Sequence, residues 1–204
     1  MTPFEQQLIQ GQQHLIDNDK KLASVINKVG QCRFQLRQDY FQSLVGSIIS
    51  QQLSTKATST IRGRLIELAG NDLSPDQLQQ FNIEELRSVG LSKNKADFIL
   101  RLAEHYDPDQ FENLHKMEDE EVIKFLISFK GIGEWTAQMF LIFSLGRLDV
   151  LPIKDVGVQN GVKKIYSIDS LTDAHLIEIA ESWRPYRSIA AWYSWRVLDA
   201  LITI

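Results

Sequence analysis

Two short stretches of the chain combine residue types that can do chemistry. The first runs Phe129-Lys130-Gly131-Ile132-Gly133-Glu134-Trp135. A helix ending at Phe129, followed by a Gly-Ile-Gly turn that opens the next helix, presents backbone N–H groups. With the helix N-terminus behind them, these suit an anion such as a phosphate. Gly131 and Gly133 let the backbone turn sharply and come close to another molecule. The same pattern also serves as an ordinary helix–helix turn. The second stretch, Leu151-Pro152-Ile153-Lys154-Asp155-Val156-Gly157-Val158, places Asp155 twenty residues beyond Trp135. Asp155 follows a proline-bearing loop and stands where a helix starts, and a helix N-terminus favours a carboxylate. Aspartate is a common N-cap there. The two roles are compatible, because a cap can also be held at a cleft.

The elements that must position these residues read almost entirely as helix. Phe41, Leu44, Val45, Ile48 and Ile49 recur at helical spacing. Ser54 is placed to cap a helix through Ile61, Leu65 and Leu68. Ser74-Pro75 is an N-cap followed by proline at the first helical position, and Asn82 with Glu84 and Glu85 is a second start signal. Ser92 opens a helix whose buried face carries Ala96, Ile99, Leu100, Leu102 and Ala103. Further helices are expected over 118–129, 133–145 and, as a long apolar core helix, 185–204. Leu148 to Ile153 reads as an extended loop. No repeat and no Gly/Ser/Pro-rich linker interrupts the chain. The expected fold is all-α: a compact two-lobed bundle of about ten helices, with a helix-hairpin-helix motif beside a central cleft. It would form one domain over 1–204, with lobes of about 35–125 and of 1–34 plus 126–204.

The 204 residues carry 22 Lys and Arg against 26 Asp and Glu, a net charge of −4. That balance argues mildly against a nucleic-acid partner, but the charge is uneven. Residues 31–71 sum to +3 and residues 128–166 to +2, whereas residues 104–121 sum to −7. A basic face is therefore compatible with an acidic total. The lone cysteine, Cys32, excludes an intramolecular disulfide, a thiolate-held iron–sulfur cluster and a cysteine-based zinc finger. His14, His105, His115 and His175 are scattered, expected on exposed helix faces, and form no ligand set. The longest candidate apolar run, Met139–Phe143, falls far short of the ~20 residues of a membrane helix. No secretory signal is read at the start, and the expected location is intracellular: cytoplasmic, and nucleoid-associated in a bacterium.

Taken together, Phe-Lys-Gly-Ile-Gly-Glu-Trp-Thr-Ala and the following Leu-Pro-x-x-Asp resemble the helix-hairpin-helix DNA glycosylase superfamily. The resemblance is nearest to its alkylbase branch, the 3-methyladenine DNA glycosylase II group. Two more segments are similar to that branch: Ser47-Ile-Ile-Ser-Gln51-Gln52-Leu53-Ser54, and Trp183-Arg-Pro-Tyr-Arg187-Ser188-Ile-Ala-Ala-Trp-Tyr-Ser-Trp195-Arg196. The likeness spans roughly residues 35 to 200. The extra N-terminal β-rich domain of the family's better-known bacterial member has no counterpart in it.

The resemblance implies that Asp155 is the catalytic carboxylate of a monofunctional glycosylase, which releases alkylated purines such as 3-methyladenine and 7-methylguanine from double-stranded DNA. Trp135 stands where members with lyase activity carry a lysine, so no lyase activity is expected. Trp135 and Trp195 match aromatic residues of the base pocket, and Met139 takes a place where an aromatic can line it. Stacking of these indoles on a cationic base would contribute about 0.5–2 kcal/mol per ring face. Lys130, Gly131, Ile132 and Gly133 match the DNA-gripping hairpin, with Lys130 in place of a frequent proline. Gln51, Gln52 and Leu53 match the turn that wedges into the minor groove, with either Gln52 or Leu53 at the tip. The backbone carbonyls of Ile127, Phe129 and Ile132 match positions that hold a monovalent cation, Na⁺ or K⁺, beside a DNA phosphate. No cofactor is required, no membrane is involved, and a monomer is expected. A non-catalytic DNA-binding module and a glycosylase for oxidised or deaminated bases are the alternative readings. Arg187 and Arg196 are open to phosphate contacts or to pairing with the acidic segment.

Overall fold

A computed structural model describes residues 1–199. Among these residues there is no strand. The helices are α1 (Pro3–Asn18), α2 (Lys20–Val29), α3 (Tyr40–Ser50), α4 (Thr55–Leu68), α5 (Pro75–Leu78), α6 (Ile83–Ser88) and α7 (Lys93–His105). They continue with α8 (Pro108–Glu112), a 3₁₀ turn (Asn113–Lys116), α9 (Asp119–Ile127), α10 (Glu134–Phe143), α11 (Val156–Tyr166), α12 (Asp173–Glu181) and α13 (Arg187–Arg196). The all-α reading holds. The helix count exceeds the expected ten because α5, α6 and α8 are single short turns, each started by its own cap.

The caps follow the sequence signals. Ser54, Ser74 and Ser92 each accept from the backbone N–H three residues on, at 3.3 Å. Asn82 and Glu85 close a reciprocal capping box, which satisfies two of the N–H groups a helix start leaves without partners. The helix expected over 185–204 is shorter. It begins at Arg187 and ends at Arg196, and just beyond it the Val197 carbonyl accepts from Lys164 Nζ at 2.7 Å. Residues 200–204 lie outside the described residues.

The chain divides into two compact units, Met1–Leu36 with Leu141–Ile204, and Arg37–Phe140. Residues 126–140, expected with the C-terminal part, group instead with the middle of the chain. The first unit is built from α1, α2 and α11–α13. Its core holds Leu15, Leu22, Val25, Ile26, Val158, Val162, Leu176, Trp183, Ile189 and Tyr193, all buried. Trp183 is structural: its indole N–H donates to Asp19 Oδ2 at 2.9 Å, and the Tyr166 hydroxyl donates to the same oxygen. The buried Asp19 also caps α2 through the N–H groups of Lys21 and Leu22. All the donors a buried carboxylate demands are thus supplied locally. The second unit packs α3, α5, α6 and α7 around Leu44, Ile48, Leu78, Leu86, Ile99 and Leu102, with Phe111, Val122 and Leu126 closing the base.

Cys32 is buried, and desolvation pushes its thiol up to about 12, so it is no nucleophile. The expectation of exposed histidines fails at His14. It is half-buried, with its ring 5.3 Å from that of Tyr186.

Candidate functional site

In the first unit the site is a carboxylate at a helix start. Asp155 precedes α11 with extended backbone, φ −72° and ψ 115°. Its Oδ1 accepts from the Val158 backbone N–H at 2.7 Å and from the Trp195 indole N–H at 2.8 Å. Asp155 as a whole is 8% exposed. The N-cap reading is therefore correct, but a backbone cap alone would leave the carboxylate free to rotate. The second bond, from α13, fixes its rotation.

The reach of Trp195 depends on two glycines one helical turn apart on α11. A Cβ on Gly161 would lie 2.0 Å from the Ser194 carbonyl oxygen, and one on Gly157 would lie 2.7 Å from Trp195 Cδ1 and 3.0 Å from Asp155 Oδ1. α11 and α13 approach so closely only because both positions lack a side chain beyond hydrogen. Trp195 is half-buried, with its ring 5.8 Å from that of Phe143. It was expected as a stacking residue; here it is also the carboxylate's hydrogen-bond donor.

Arg187, open between phosphate and the acidic segment, pairs with Asp149, which lies outside that segment. Its guanidinium grips Asp149, with Nε to Oδ1 at 2.7 Å and Nη2 to Oδ2 at 3.0 Å, and its Nη2 also donates to the Asp149 carbonyl at 2.6 Å. With the Ser188 hydroxyl bonded to the Arg147 carbonyl and accepting from Val150 N–H, this fork pins the loop that leads to Pro152 and Asp155. Bidentate Arg–carboxylate pairing of this kind is geometrically specific. Arg196 pairs with Asp199 at 3.2 Å and lies over the Trp192 ring.

In the second unit the site is mostly backbone. Helix α9 ends at Ile127, and two tight turns follow: Ser128 N–H to the Phe125 carbonyl, and Phe129 N–H to the Leu126 carbonyl, both 3.2 Å. Ile132 N–H then closes onto the Phe129 carbonyl at 3.0 Å. Gly131 has φ +91°, and a Cβ there would sit 2.2 Å from the Phe98 ring. The fold demands glycine at this position twice over, by conformation and by contact. Gly133 differs. Its φ lies outside the left-handed region, and a Cβ there would meet nothing within 4 Å. A side chain at 133 would therefore meet no steric barrier within the protein.

Lys130 is exposed, 3.5 Å from Asp97 and 5.8 Å from the Phe98 ring centre. Ile132 is buried, anchoring the hairpin. Trp135, the second residue of α10, is 42% exposed, whereas Met139 one turn later is buried. The unit thus presents the indole and keeps the thioether largely covered.

Beside the hairpin lies the turn over Gln51, Gln52 and Leu53. Leu53 N–H bonds to the Ser50 carbonyl at 3.1 Å, Gln51 has φ −51° and ψ 124°, and Gln52 has φ +57°. This is a type II turn with a glutamine in the position that favours glycine. Holding a non-glycine residue there costs about 1 kcal/mol or more. Gln52 and Leu53 are exposed. Gln51 points inward, its Nε2 donating to the Gly131 carbonyl at 2.8 Å, which ties the turn to the hairpin.

Two features escaped the sequence reading. The Gly157/Gly161 pair was visible as a Gly-x-x-x-Gly spacing. Lys95, whose ammonium holds the 51–53 turn from below, gives no signal in a helix rich in charged residues. Among the described residues no group of three or more His, Cys, Asp or Glu could hold a metal ion. The carbonyls of Ile127, Phe129 and Ile132 share one hairpin, and the Ile132 N–H uses one of the two lone pairs of the Phe129 oxygen. Carbonyl oxygens are the donor type that a hard cation takes.

The family model described as HhH-GPD superfamily base excision DNA repair protein matches residues 45–185. An alkylbase DNA glycosidase-like protein of Schizosaccharomyces pombe is 32% identical over 195 residues, covering 91% of this chain and 92% of that one. The crystal structure of a DNA-3-methyladenine glycosidase from Bacillus halodurans superposes with a TM-score of 0.80 at 40% identity, over 91% of this chain and 88% of its own. A 3-methyladenine DNA glycosylase of S. pombe in complex with abasic DNA superposes with a TM-score of 0.79 at 29% identity, over 92% and 96% of the two chains.

Proposed function

The chain belongs to the HhH-GPD superfamily of base excision DNA repair proteins, and from that premise we propose that Asp155 is the carboxylate with which it cleaves the N-glycosidic bond. The protein is a DNA glycosylase of the 3-methyladenine type, hydrolysing the bond to an alkylated base and so starting base excision repair. The observation that carries the role of Asp155 is its double anchoring at the start of α11 by Val158 N–H and Trp195 Nε1.

Departure of the base builds positive charge on the sugar. A carboxylate already fixed in place stabilises that charge with no reorganisation at the moment of reaction, and orients the water that completes hydrolysis. An N-alkylated purine such as 3-methyladenine or 7-methylguanine carries its own positive charge and leaves without being protonated by the protein. Trp135 offers no amine for a covalent Schiff base, so water is the nucleophile. Each unit offers an indole face of the kind an electron-poor base stacks on, the exposed Trp135 in one and the half-buried Trp195 in the other, and Met139 is an apolar neighbour one helical turn beyond Trp135. Much of the selectivity arises earlier, because a damaged and weakly paired base is cheaper to extrude.

The second unit grips the duplex. The hairpin backbone at Gly131 and Gly133, with the start of α10 behind it, takes a phosphate, which Gly133 lets approach closely, and Lys130 adds charge. Gln52 and Leu53, at the tip of their turn, occupy the space the extruded nucleotide leaves. A monovalent cation such as Na⁺ or K⁺ would be held by the carbonyls of Ile127, Phe129 and Ile132, and its charge would attract that phosphate. Catalysis needs no other cofactor, and the protein acts as a monomer.

The test is base release from alkylated duplex DNA, with the freed bases identified by mass. Release of 3-methyladenine and 7-methylguanine supports the reading. Tight DNA binding with no base released supports a non-catalytic module instead. Release confined to oxidised or deaminated bases supports the other glycosylase class.

A further inference from the structure

Lys95 is a half-buried lysine on the first turn of α7. Its Nζ donates to the Ile49 carbonyl at 2.8 Å and to the Gln51 carbonyl at 2.6 Å. Ile49 lies in the last turn of α3 and Gln51 is its C-cap, so both carbonyls are among those that a helix end leaves without intrahelical partners. A cation at a helix C-terminus also meets the negative end of the dipole. The same turn is tied on its other side by Gln51 Nε2 to the Gly131 carbonyl. It contains Gln52 at φ +57°, a conformation that needs outside support. Desolvation by burial lowers the proton affinity of Lys95.

We propose that Lys95 is a positioning residue for base extrusion: by clamping the carbonyls of Ile49 and Gln51 it holds the Gln52–Leu53 tip in the geometry that enters the DNA stack. The inference rests on the reading that this tip fills the space of the extruded nucleotide. Lys95 acts through the two carbonyls it holds. A rigid tip matters most when the target base is firmly paired. When the base has no partner, extrusion is cheap and the tip contributes little.

The experiment measures single-turnover release of 7-methylguanine from one duplex in two forms, with the lesion opposite cytosine or opposite an abasic site. The proteins are wild type, Lys95→Met, Lys95→Gln and Gln52→Ala, each checked by thermal unfolding. Lys95→Met is expected to slow release opposite cytosine by about tenfold, with less than about a twofold change opposite the abasic site, the loss of two charge-assisted bonds being felt only where extrusion is hard. Lys95→Gln, too short to reach both carbonyls, should show the same selective loss, and serves as the readout if Lys95→Met does not fold. Equal loss on both substrates, or no loss on either, overturns the positioning role. Selective loss in Gln52→Ala but not in the Lys95 variants overturns the role of Lys95 while leaving the wedge reading intact. No selectivity in any variant overturns the wedge reading beneath it.

Discussion

The carboxylate corner of the first unit and the hairpin with its neighbouring turn in the second are built by opposite means. At the corner, side chains converge: Asp155 is nearly buried, and two donors fix one of its oxygens. Two helices press together at Gly157 and Gly161 until hardly an atom could be added. At the hairpin and turn, backbone is put forward: Gly133, Gln52 and Leu53 are exposed, and side chains such as Gln51 and Lys95 serve by bonding to carbonyls behind the surface. Chemistry at a single bond needs one charge held to within a fraction of an ångström. Gripping DNA needs a row of N–H groups that a phosphate can reach. The corner should therefore fail through packing, and the hairpin through approach.

That contrast can be broken or sharpened by substitution. The largest effect on stability is expected for Gly161→Ala, whose Cβ would lie 2.0 Å from the Ser194 carbonyl oxygen. Forcing the helices apart should cost roughly 3 kcal/mol or more, read as a lower denaturant midpoint. Gly131→Ala comes next at about 2 kcal/mol, from its positive φ and the nearness of Phe98. Trp195→Phe keeps a ring but removes the N–H to Asp155. It should lower the rate of base release by about tenfold while DNA affinity changes little, as expected for one hydrogen bond to a charged group. Gly133→Ala should leave the unfolding midpoint unchanged and weaken duplex binding by several-fold, about 1 kcal/mol, because its methyl meets nothing in the protein and obstructs only what docks there. Equal destabilisation by Gly131→Ala and Gly133→Ala would erase the distinction between a glycine the fold needs and one the ligand needs.

Much of the fold could be read in the residues because its signals are local. The caps at Ser54, Ser74, Asn82, Ser92 and Asp155 act within three or four residues, and all five form. The glycine turn and the following helix start were equally local. What could not be read is what depends on partners far apart in the chain. The bond from Trp195 to Asp155 spans forty residues. Lys95 reaches the Gln51 carbonyl across forty-four, and a lysine on an amphipathic helix is indistinguishable by pattern from a solvated one. Arg187 was open between DNA and an acidic segment, because nothing in the sequence points to the single Asp149 in the loop beside it. Residues 126–140 were grouped with the wrong unit for a related reason. Helical periodicity shows which face of a helix is apolar and not what that face packs against.

Release of methylated bases by Asp155→Asn, measured beside its binding to the same alkylated duplex, tests the central claim most directly. Asparagine fits the same space and can still accept from Val158 and Trp195, but carries no charge to set against a cationic sugar. The account predicts a fall in release of about a hundredfold or more, with binding equal or tighter because a charge repelling phosphate is gone. Release within a few-fold of wild type would contradict it.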